Sequence, residues 1–150
     1  MADKAIKARS AARLAAVQAL YQMDMTGTDV NAVIAEFGNA PLHENEETLI
    51  ELDADYFRDL LTGIVKRQKQ IDPPIHEALR DDWPLSRLDS TLRAILRAGA
   101  YELMYRRDVP FKATINEYMD IAHAFFDGGE PAMVNGVLDH LAKISRNSRE

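Results

Sequence analysis

No cysteine occurs in the 150 residues, which excludes thiolate chemistry, iron–sulfur clusters and cysteine-ligated zinc and suits a reducing compartment. No apolar run approaches the ~18 residues that a membrane span needs. The opening residues Met1 to Lys7 lack the hydrophobic stretch of a signal peptide. A cytoplasmic protein that neither crosses nor enters a membrane is expected. Alternating Val/Ile/Thr runs with hairpin signals are also missing, which argues against a β fold. What remains is a chain long enough for one globular domain over 1–150. Such a chain buries roughly 68–70% of its unfolded surface, so its core needs neither disulfides nor a structural metal.

The net charge of −6 hides an asymmetry. Residues 1–13 carry Lys4, Lys7, Arg9 and Arg13 against Asp3, a net +3, whereas residues 14–60 hold ten acids against Arg58 alone, a net −9, and the rest balances. An acidic body with a basic tip repels nucleic acid in every orientation except the one that presents the tip. Any nucleic-acid site should therefore be small and oriented. Arg9 and Arg13 are one helical turn apart, about 40° offset around the axis, so both can face one phosphate backbone. The bland alternative, a tip charged only for solubility, is not settled by so short a run.

Apolar residues recur with the helical period. The first helix shows Leu14, Val17, Leu20 or Tyr21, and Met25 on one side and stops at Gly27; a second follows Asp29 as N-cap and ends at Gly38. Residues 39–52, acidic and without a period, read as a surface loop. Phe57, Leu60, Leu61, Ile64 and Val65 mark the third helix, and Asp72 before Pro73 and Pro74 marks the start of a short fourth. The fifth carries Leu88, Leu92, Ile95, Leu96, Gly99 and Leu103, with Gly99 permitting close helix contact at a propensity cost of about 1 kcal/mol. Ile115, Met119, Ala122 and Phe126 form the sixth; Gly128, Gly129 and Pro131 open the last, which carries Val134, Val137, Leu138, Leu141 and Ile144. The expected class is all-α with about seven helices; residues 1–8 and 147–150 are expected to be flexible.

Nothing convergent enough for catalysis emerges. His43, His76, His123 and His140 are scattered without metal-ligand spacing, and the serines lack a nucleophile-elbow context. The adjacent acids Asp81 with Asp82 and Glu46 with Glu47 would point about 100° apart on a helix and suit solvated faces. Gly128 and Gly129 have neither a Walker lysine nor a preceding strand, and serve better as a helix–helix turn than as a phosphate cradle. No enzyme, cofactor or metal is expected.

Order and spacing along the chain carry a family resemblance. Ala12, Arg13, Val17, Gln18, Ala19, Leu20 and Tyr21 open it. Tyr56 to Leu61 with Gly63 follow, then Ile71, Asp72 and Ile75, then Trp83, Leu85, Arg87 and Leu88. Ile95, Leu96 and Arg97, Tyr101, Glu102 and Leu103, Val109 and Pro110, Ile115, Asn116 and Glu117, and Val134 to Asp139 complete the pattern. Together these resemble the NusB family of bacterial transcription antitermination factors. The resemblance implies a helical fold of two packed sub-bundles and a non-enzymatic role. Its implied partners are the boxA element of nascent ribosomal RNA leader transcripts, the small-subunit ribosomal protein also called NusE, and an RNA polymerase antitermination complex that reads through terminators.

By the same resemblance Lys4, Lys7, Arg9 and Arg13 are phosphate contacts, and Lys112 is a basic position that reaches the RNA. Met133 stands where the family commonly has the aromatic of Phe-Val-Asn-Gly near the RNA surface. The change removes a ring whose stacking on a base is worth roughly 1–3 kcal/mol, so that contact is weakened or supplied elsewhere. Trp83 is read as an anchor between helices, Tyr101 and Leu103 as core or boundary positions, and Asn135 with Gly136 as a tight packing spot. The acidic segment 39–55 has no firm family counterpart. No motif marks a surface for NusE, and the resemblance leaves monomer and homodimer both open. Two other readings compete. One is the RNA-recognising appendage of a ribosomal RNA cytosine methyltransferase, which needs a catalytic domain beyond 150 residues. The other is a helical protein-interaction adaptor or homodimer that binds no RNA.

Overall fold

Alanine decides how the first helix packs. In the structure, a computed structural model describing residues 2–38, 42–43, 49–50, 52–79, 85 and 88–147, α1 (Ala2–Thr26) buries Ala11, Ala12, Ala15, Ala16, Val17 and Ala19. Of the stripe expected on this helix only Val17 lies fully in the core. Leu14 and Leu20 are half-buried and Tyr21 and Met25 are exposed. Small side chains let α1 sit close against α3 and α4, and the bulkier residues are left to the margins. The helix starts at Ala2, and residues 2–8 form nearly two of its turns. It stops where Gly27 takes φ +72° and returns its N–H to the carbonyl of Met23. A Cβ at Gly27 would meet no atom within 4 Å, so Gly27→Ala is strained only by its torsion. It should lower stability by about 1 kcal/mol in chemical denaturation; an unchanged midpoint would refute this account of the helix stop.

Asp29 caps α2 (Val30–Gly38), its carboxylate accepting from the N–H of Asn31 at 3.0 Å. The segment expected to be a plain loop contains a short antiparallel ladder, β1 (Leu42–His43) with β2 (Leu49–Ile50), Leu42 opposite Ile50. α3 (Ala54–Ala78) runs through both the third and fourth expected helices. Its break falls at Arg67 (φ −109°, ψ 16°), and Pro73 and Pro74 lie inside the helix beyond it. The prolines lack the N–H groups that would bond back one turn, so they loosen the helix upstream rather than start a new one. Six helices among the described residues thus carry the seven apolar segments.

α4 (Ser90–Tyr105) is capped by Asp89, which accepts from the N–H groups of Thr91 and Leu92. It is the central helix, packed on α1, α3, α5 (Phe111–Phe125) and α6 (Glu130–Asn147). Two glycines set its distance from its neighbours. A Cβ at Gly99 would lie 2.8 Å from Leu138 Cδ1, and one at Gly63 on α3 would lie 2.3 Å from the Tyr101 ring. One cluster of buried residues joins all six helices, with Phe57, Ile64, Ile95, Leu103, Tyr118 and Leu138 fully enclosed. Tyr101 and Leu103 are buried, as expected. Asn135 and Gly136 are exposed, and a Cβ at Gly136 would touch nothing, so the expected packing spot is solvent-facing. Trp83 and the acid pairs Asp81–Asp82 and Glu46–Glu47 lie outside the described residues. No described helix is long and apolar enough to cross a membrane.

Candidate nucleic-acid interface

Continuity of α1 divides its cations. At 100° per residue Lys4 and Lys7 lie about 60° apart, but Lys7 and Arg9 lie about 160° apart. Lys4 and Lys7 are exposed on the outer flank, whereas Arg9 and Arg13 turn toward α3. The single basic tip expected from the sequence is therefore two sites of different character.

Arg13 is corrected from a surface contact to a buried one, with 4% of its surface exposed. Its Nε and Nη2 donate to the two oxygens of Glu102 at 2.9 and 3.0 Å, Nη1 donates to Glu117 at 3.0 Å, and Nη2 also reaches the Tyr56 hydroxyl at 3.3 Å. Glu102, fully buried on α4, accepts in addition from the hydroxyls of Tyr56 and Tyr118. Ser10 donates to Glu117 at 2.6 Å. Burial alone would lower the Arg13 pKa, but the hydrogen bond and charge of Glu102 outweigh it and raise it. Burial and the neighbouring Glu102 charge raise both phenols, so Tyr56 and Tyr118 stay protonated and donate. Four of the five guanidinium N–H groups are engaged in this way, and burial keeps the side chain from turning toward a phosphate. Four helices meet in this cluster, and its place is in the fold's interior.

Arg9 sits one turn nearer the N-terminus. Its guanidinium carbon lies 4.4 Å from the centroid of the Tyr56 ring, and its nearest carboxylate oxygen, on Asp53, is 3.8 Å away. The position of that ring follows from local structure. Asp53 caps α3 by accepting from the Tyr56 N–H at 3.0 Å, and its own N–H donates to the carbonyl of Ala8 on α1 at 3.2 Å. Arg106, at the end of α4, approaches the same ring at 4.5 Å. It donates to both oxygens of Asp108 and to Asp59, each at 3.0 Å, and these hydrogen bonds raise its pKa against the opposing effect of burial. Asp59 also accepts from the Tyr101 hydroxyl; burial and the Asp59 charge push that phenol up to about 12.

Lys112 is exposed in the first turn of α5. Met133 is half-buried and packed against the core, a filler of the α6 face more than a surface for a base. His76, His123 and His140 are exposed, and no group of three or more candidate metal ligands occurs among the described residues. Between α1, α3 and α4 a cavity of about 210 Å³ is lined by Leu20, Met23, Val65, Gln68, Ala94 and Arg97, among others. Sequence reasoning missed the partners of Arg13. One signal was present: Glu102 falls three residues after Gly99 on the apolar stripe of α4, where a buried acid demands a cation.

The NusB family model matches residues 10–143. The chain belongs to the NusB family. The transcription antitermination protein NusB of Rhizobium rhizogenes is 54% identical over 145 residues, which cover 95% of this chain and 91% of that protein. T. maritima NusB superposes with a TM-score of 0.77 at 29% identity, covering 94% of this chain and 95% of that one. A NusB solved with NusE and double-stranded RNA shares the fold with a TM-score of 0.74 at 24% identity, covering 91% and 96%. This NusB-family chain is a transcription antitermination factor and not an enzyme.

Proposed function

We propose that this protein binds boxA of ribosomal RNA leader transcripts in the cytoplasm, together with NusE, and helps RNA polymerase read through terminators. Family membership is the observation that carries this reading; a related NusB has been solved with NusE and RNA. Lys4, Lys7 and Lys112, all exposed, are its phosphate contacts, and Arg9 meets the RNA from another side of α1. Base edges and NusE residues supply the selectivity.

Three neutralised phosphates of single-stranded RNA give a slope of log affinity against log salt near −0.7 × 3, or about −2. Lys4→Glu with Lys7→Glu should weaken boxA binding across all sequences and flatten that slope by at least about 1.4. The test is titration of a boxA oligonucleotide and a scrambled control against the protein alone and in equimolar mixture with NusE. Preference for boxA, strengthened by NusE, is the expected result. Equal, weak binding of both RNAs, with NusE still bound, would instead identify a protein-interaction adaptor.

A further inference from the structure

The geometry points to Arg9 as a base-stacking platform for the transcript, not a phosphate contact, an inference that rests on the RNA-binding reading above. The Tyr56 ring is 3% exposed while the Arg9 side chain lying over it is 40% exposed. What solvent meets there is an arginine side chain whose guanidinium carbon lies 4.4 Å from the centroid of a buried aromatic ring. Arg guanidinium planes are among the surfaces on which splayed RNA bases stack, and the ring's negative face holds the cation in place. Among the described residues no carboxylate clamps Arg9 by a hydrogen bond, and Asp53 stands 3.8 Å off. Arg106 on the same ring differs, with three nitrogens donating to Asp59 and Asp108.

Charge separates the two roles for Arg9. Around this ring Arg9, Arg13 and Arg106 face four carboxylates, those of Asp53, Asp59, Glu102 and Asp108. A phosphate arriving there is opposed by a net negative neighbourhood, whereas the neutral face of a base is not. On α1 the phosphate role falls to Lys4 and Lys7, on the other flank of the helix, with Lys112 on α5.

The experiment compares wild type, Arg9→Lys and Arg9→Ala for affinity and salt slope on boxA RNA carrying 2-aminopurine at successive positions. Both variants should lose about tenfold in affinity with the wild-type slope retained, and both should abolish the quenching of one 2-aminopurine that wild type produces. Arg9→Lys binding as wild type does, with Arg9→Ala flattening the slope by about 0.7, would make Arg9 a phosphate contact and overturn the inference. Circular dichroism of Arg9→Lys, which keeps the charge over the ring, verifies that the fold is intact. A wild type that does not distinguish boxA from scrambled RNA overturns the RNA-binding reading itself, a different result from either.

Discussion

Arg13→Ala is expected to destabilise the protein by about 3–5 kcal/mol, because it leaves a fully buried Glu102 without its cation. A domain of ordinary stability has about 5–15 kcal/mol in total, so the variant should unfold at much lower denaturant. The loss is chiefly the cost of the orphaned carboxylate, not the net worth of the ion pair. Arg13→Met combined with Glu102→Gln should therefore recover part of the loss of Arg13→Met alone. Tyr56 and Tyr118 donate to different oxygens of Glu102 in the wild type, so the amide oxygen keeps one of these bonds, the NH2 group can donate to the other hydroxyl, and no charge is left buried. Equilibrium denaturation measures all three. The same variants separate a structural from a recognition role: under conditions where Arg13→Ala is fully folded, its slope of log affinity against log salt should match wild type. A variant that keeps its stability and loses one phosphate's share of the slope would return Arg13 to the RNA surface.

Gly63→Ala is expected to cost about 2 kcal/mol, although alanine is the better helix former by about 1 kcal/mol. The new Cβ would fall 2.3–2.4 Å from three atoms of the Tyr101 side chain. That ring is not free to swing away: its hydroxyl donates to Asp59, it packs 5.5 Å from the Tyr105 ring, and it is 5% exposed. Yielding there would pull α3 and α4 apart or strip the hydroxyl of its partner. In a Tyr101→Leu background the obstacle is gone, and the same substitution should become neutral or stabilising. The resulting double-mutant cycle should show a coupling of about 1–3 kcal/mol. Additive effects would mean that the ring does not set the spacing of these helices.

The helices themselves were legible where apolar residues of one size recur at one period. The stripe on α4 from Leu92 to Leu103, the stop at Gly27, the cap at Asp29 and the close contact at Gly99 all stand in the structure, while Leu88, expected on the same helix, precedes its cap. Legibility failed where packing overrides the local signal. Pro73 and Pro74 read as a helix start and are instead accommodated within α3. On α1 the large apolar residues drew attention while alanines took the core.

Sequence alone determined that this is an acidic, cysteine-free, helical chain with a short cationic run ahead of an acidic stretch, and the order of its motifs determined its family. Only the tertiary structure decided which of those cations meets solvent. A count of charge is additive along the chain, but exposure depends on what another helix places opposite. Glu102, 89 residues from Arg13, turns that arginine inward, and Tyr56 holds Arg9 at the surface.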